Sequence, residues 1–86
     1  MKIKEGFILR TVAGETVVLP ADGVTNFDMM ITLNDTGRFL WERLSQGAET
    51  AELVDALLAE YDVDRATAEK SAEAFVARMK ELDFLV

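Results

Sequence analysis

Carboxylates are the most abundant chemically versatile side chains in this sequence: 16 Asp and Glu stand against 9 Lys and Arg, with no histidine and no cysteine. Glu49, Glu52, Asp55 and Glu60 lie close enough together to suggest a surface metal site. They fall, however, between Leu53, Val54, Leu57, Leu58 and Tyr61, whose i, i+1, i+4, i+5, i+8 spacing is a core-facing helical stripe. The four acids therefore belong to the solvated side of that helix. Without histidine the commonest general base and metal ligand is missing. Without cysteine there is no thiol nucleophile, no thiolate zinc site and no disulfide. No GxxxxGK[ST] loop, GxSxG elbow or GxGxxG fingerprint appears. The expectation is a non-catalytic chain with no cofactor and no metal.

Two binding chemistries remain. One candidate helix carries Arg65, Lys70, Arg78 and Lys80, but Asp64, Glu69, Glu73, Glu81 and Asp83 are interleaved with them. That is a mixed surface, not the basic stripe a phosphate backbone needs, and the net charge is -7. Residues 35–62 hold most of the excess acid, so an acidic ligand is repelled unless basic residues compensate locally. The other chemistry is peptide binding. Asp28-Met29-Met30-Ile31-Thr32-Leu33 reads as a strand, and at a sheet edge its unpaired N–H and C=O groups can pair with an incoming extended peptide. Methionine suits the wall of such a site because its unbranched thioether adapts to varied shapes. Pleat alternation lets only one of Met29 and Met30 join the main core face. The other faces solvent, a ligand or a second subunit; ordinary packing and peptide binding both remain open.

The elements that must position these residues follow from pattern and punctuation. Branched runs over 7–12 and 15–19 joined by Ala13-Gly14 predict a hairpin, and 28–33 a third strand. Asn34 caps a helix over about 35–46, with Phe39, Leu40 and Leu44 as its stripe, Trp41 beside them and Gly47 at its end. Thr50 caps a second helix over about 51–61. Asp64 caps a third over about 65–83, where Ala68, Ala72, Phe75, Val76, Met79 and Leu82 share one face. Phe84-Leu85-Val86 forms an apolar tail that can fold back on the core. At 86 residues this is one small domain, 1–86. Strands and helices are segregated, so the class is α+β, a three-stranded antiparallel sheet followed by three helices. That order describes a winged helix-turn-helix, which makes a DNA-binding transcription regulator the alternative function. No apolar run approaches the ~20 residues that span a bilayer, and MKIKEGF lacks a signal-peptide stretch. A soluble cytoplasmic protein with neither a membrane nor a nucleic-acid partner is expected.

The joint "ITLNDTGRFLWERL" resembles the strand-to-helix joint of the PqqD family, named for the pyrroloquinoline quinone (PQQ) biosynthesis protein D. The family pattern is Leu-Asn-Glu-Thr-Gly, a few residues, then Trp and a Leu-rich turn. Residues 33–37 match it with Asp35 in place of Glu, and Trp41 stands where the pattern puts it. "ETAELVDALLAEYDVD" and "AEAFVARMKELDFLV" are similar to the family's second and third helices, so the resemblance covers essentially the whole chain. It implies a RiPP recognition element, a peptide chaperone of ribosomally made, post-translationally modified peptide pathways. Such a module holds the leader of a precursor peptide as a strand added to the third strand, in the groove against the third helix. A partner enzyme, in many such systems a radical-SAM protein, then modifies the precursor. Carried onto this chain, the binding strand is Asp28, Met29, Met30, Ile31, Thr32 and Leu33. The facing wall is Ala72, Phe75, Val76 and Met79, with Arg78 near the rim. Asn34, Thr36, Gly37 and Trp41 are then scaffold. PQQ is one candidate pathway, and an open edge strand allows a monomer or a homodimer.

Overall fold

The computed structural model describes residues 1–20 and 31–86, and its elements follow the expected order. Strands β1 (Phe7–Val12) and β2 (Glu15–Pro20) form an antiparallel hairpin in register from Phe7↔Pro20 to Val12↔Glu15. Its two-residue turn places Ala13 at φ 52° and Gly14 at φ 81°. Positive φ at both positions is the conformation whose twist matches that of paired strands. Strand β3 (Ile31–Leu33) lies antiparallel on the far side of β2, from Val18↔Ile31 to Thr16↔Leu33, giving the sheet order β1-β2-β3. The three-stranded antiparallel sheet followed by three helices is the α+β arrangement expected from the sequence. Asp28, Met29 and Met30, the first half of the expected third strand, lie outside the described residues.

Helices α1 (Asp35–Ser45), α2 (Thr50–Glu60) and α3 (Arg65–Glu81) pack on one face of the sheet. Each start has a side-chain oxygen aimed at a free backbone N–H. Asn34 accepts from Gly37 at 2.7 Å, Glu52 from Glu49 at 3.0 Å, and Asp64 from Thr67 at 2.8 Å. The second differs from the expectation: Glu49 is the cap and Thr50 is already helical. The reciprocal Glu52 contact shows why, since it serves the residue three before it as in a capping box. At Asp64 the Thr67 hydroxyl and backbone N–H hold the carboxyl below its ordinary range by favouring its charged form.

The core joins both layers. Leu9, Val18, Ile31 and Leu33 from the sheet meet Leu40, Trp41 and Leu44 of α1, Leu53, Val54 and Leu57 of α2, and α3. Small residues at Ala68 and Ala72 of α3 sit fully inside and leave room for the larger side chains around them. Trp41 is 4 % exposed and forms an edge-to-face cluster with Phe7 and Phe84, at centroid distances of 6.4 and 5.4 Å. Phe39, expected in the core stripe, is half-buried and instead packs edge-on against Tyr61 beneath Arg43. The apolar tail does fold back. Phe84 is buried, Leu85 bridges to Ile3, and the Lys4 N–H donates to the Phe84 carbonyl at 2.8 Å. Leu82, expected on the α3 stripe, is the C-cap and is exposed. After it Asp83 takes φ 61°, and the Phe84 N–H reaches back to the Met79 carbonyl at 2.9 Å. This Schellman turn redirects the chain into the core.

Candidate peptide-binding groove

Strand β3 uses only one of its two edges among the described residues. Ile31, Thr32 and Leu33 pair with Val18, Val17 and Thr16 of β2, and no described strand lies on the other side. Beside β3, between the start of α1 and the middle of α3, runs a groove of ≈ 580 Å³. One wall is Thr32, Leu33, Asn34, Thr36, Gly37 and Leu40; the other is Ser71, Ala74, Phe75 and Arg78. Leu33, Gly37, Leu40 and Phe75 are buried and make an apolar floor, whereas Thr32, Asn34, Ala74 and Arg78 form an exposed rim. An unpaired strand edge above an apolar floor with a polar rim can hold an extended chain by backbone hydrogen bonds and sort its side chains in alternation.

The strand-to-helix joint sets the shape of the first wall. Asn34 ends the strand in an extended conformation and its Oδ1 takes the Gly37 N–H, so the chain turns within three residues. A Cβ on Gly37 would stand 3.1 Å from that Oδ1 and 3.5 Å from the Leu33 Cβ. Glycine is therefore what allows the helix to start this tightly against the strand. Asn34, Thr36 and Gly37, read from the resemblance as scaffold alone, line the groove as well. Trp41 does not line it and anchors α1 from inside the core.

The α3 wall is turned relative to the expectation. Phe75 and Arg78 line the groove, but Ala72, Val76 and Met79 do not. These three are 0, 5 and 0 % exposed and point into the core. The groove-facing row is Ser71, Phe75, Arg78 with Ala74 beside it, an i, i+4, i+7 stripe adjacent to the core stripe, and Phe75 belongs to both. Sequence reading misses Ser71, half-buried, and Ala74, exposed, because such small side chains carry no hydrophobic signal. Their spacing from Phe75 and Arg78 was the available clue. On β3, Leu33 forms part of the floor and Thr32 of the rim, while Ile31 is half-buried against the core. Thr36 and Ser71 also border a second cavity of ≈ 100 Å³ toward α2, lined further by Leu57, Tyr61, Val63 and Ala68. Arg78 takes part in none of the ion pairs formed among the described residues.

Comparison with known proteins places this geometry in context. Residues 15–85 match the model of the family described as coenzyme PQQ synthesis protein D (PqqD). Among curated proteins nothing matches significantly. Two solved structures are similar throughout. One is TbiB1 in complex with the TbiA(beta) leader peptide, at a TM-score of 0.74 and 30% identity, covering 99% of this chain and 94% of that one. The other is lasso peptide synthetase B1 complexed with the leader peptide, at a TM-score of 0.69 and 26% identity, covering 93% and 89%. With a match over most of its length and the Leu-Asn-Asp-Thr-Gly joint in place, the chain belongs to the coenzyme PQQ synthesis protein D family.

Proposed function

We propose that this chain binds the leader of a ribosomally made precursor peptide as a strand added to β3, seats it in the groove against α3, and presents it to a separate modifying enzyme. The observation that carries the reading is the edge of β3 left unpaired among the described residues, beside an apolar-floored groove, in a chain similar to two proteins solved with leader peptides. Backbone pairing along β3 supplies affinity that is largely independent of sequence, and the groove supplies selection. Within this reading the protein works in the cytoplasm without a cofactor of its own. Its partner is a maturase, a radical-SAM enzyme where the pathway is of the PQQ kind. The absence of histidine and cysteine supports a role without catalysis.

Successive residues of a strand direct their N–H groups to opposite edges. Proline placed at Ile31 and at Thr32 in turn therefore removes one donor from the free edge and one from the β2 ladder. The probe is a synthetic leader peptide, chosen from candidate precursor peptides for its binding to the wild-type protein. The variant altered on the free edge is expected to stay folded yet bind at least about tenfold more weakly, the loss expected from ~1.4 kcal/mol of hydrogen bonding. Wild-type affinity in both folded variants contradicts strand addition at β3.

A further inference from the structure

Arg78 is the single charged side chain among the described residues that line the groove. Its surroundings on α3 leave it without a partner. Ala74 and Phe75 lie one turn before it and Leu82 one turn after, and Glu81, three residues on, is not within ion-pair distance. Arg38 pairs with Glu42, Arg65 with Asp55 and Glu69, Lys4 with Asp83, and Arg43 lies over the Phe39 ring; Lys2, Arg10, Lys70 and Lys80 form no ion pair among the described residues either, but none of them lines the groove. A basic residue in the last turn of a helix also complements the helix dipole. Lys80 stands in the same turn and does that away from the groove. Arg78 differs in standing at the rim of an apolar floor, with the small residues Ala74 and Ser71 leaving space beside it.

We propose that Arg78 determines specificity: the bound strand carries an Asp or Glu side chain facing Arg78 and an apolar side chain two residues away. This rests on strand addition at β3 and goes beyond it by naming the ligand's pattern. Side chains on one face of a strand recur every second residue. A carboxylate that meets the guanidinium therefore brings its i±2 neighbour over the floor of Leu33, Leu40 and Phe75. The guanidinium fork suits a carboxylate bidentately. In a chain of net charge -7, Arg78, the one cation among the described groove-lining residues, locally offsets the repulsion an acidic side chain would meet.

Selection from a displayed library of short random peptides tests this. It is run against the wild type, against R78E, and against a folded proline variant that blocks the free edge of β3. Arg78 is exposed, so R78E is expected to keep the wild-type fold. The expected result is a set of peptides lost on the edge-blocked variant that share Asp or Glu at one position and an apolar residue two away. With R78E the acidic preference should give way to Lys or Arg. Replacing that Asp by Asn in one selected peptide should weaken wild-type binding roughly tenfold, the loss of a charge-assisted pair, and should strengthen binding to R78E, where it removes a like-charge contact. Edge-dependent peptides with no acidic position that responds to Arg78 overturn the specificity role and leave strand addition standing. Selected peptides that bind the edge-blocked variant equally well overturn both.

Discussion

Asn34 does two things with one side chain. Its Oδ1 caps α1 through the Gly37 N–H at 2.7 Å, and the same residue lines the groove where β3 gives way to the helix. Loss of the cap is expected to cost about 1 kcal/mol, which for a chain of this size lowers Tm by roughly 4–8 °C. Thermal melting of Asn34→Ala checks this, and an unchanged Tm would mean that the cap contributes nothing. Trp41 carries more. It is buried between Phe7 and Phe84, so Trp41→Ala removes two edge-to-face contacts and leaves a cavity. The expected cost is about 3–5 kcal/mol, a large share of the ~4–13 kcal/mol total for a chain this short. Chemical denaturation of that variant should show a midpoint far below the wild type or no folded baseline. Neither residue depends on the ligand, so both effects should appear in the peptide-free protein.

At the scale of elements, what was legible tracks how local the signal is. The Ala13-Gly14 turn, the Asn34 and Asp64 caps and the stop at Gly47 all lie in neighbouring residues, and each was readable from the chain. The stripe of α3 was readable as a stripe, but its exact aim was not. Ser71-Phe75-Arg78 and Ala72-Val76-Met79 are neighbouring rows on one cylinder, and only packing against α2 and the sheet decides which row the groove receives. Ala68 and Ala72 were placed on the apolar stripe by their spacing from Phe75, Val76 and Met79, and both are buried in the core. Leu82 failed as a core residue for a different reason: the helix ends there, and the Schellman turn sends Phe84 inward in its place. Resemblance to a family located the joint, yet it assigned Asn34, Thr36 and Gly37 to scaffold because a motif gives residue types and not the surfaces they form.

Across the whole molecule, the arrangement separates a rigid part from a receptive one. The helices, the β1–β2 hairpin and the terminal segments are tied together by core packing and backbone bonds. Residues at both ends of the chain bond to one another, with Ile3 bridged to Leu85. The open edge of β3 and the groove beside it are what remain available among the described residues. The acidic balance and the mixed charges of α3 leave no basic stripe for duplex DNA. Hydrogen exchange of the Ile31–Leu33 amides, measured with and without the synthetic leader peptide, tests strand addition most directly. The amide that faces the free edge should exchange markedly more slowly once peptide is bound, because it gains a partner. Saturating peptide that leaves every β3 amide exchanging at its free rate, while slowing exchange elsewhere, would contradict the assignment of β3 as the binding strand.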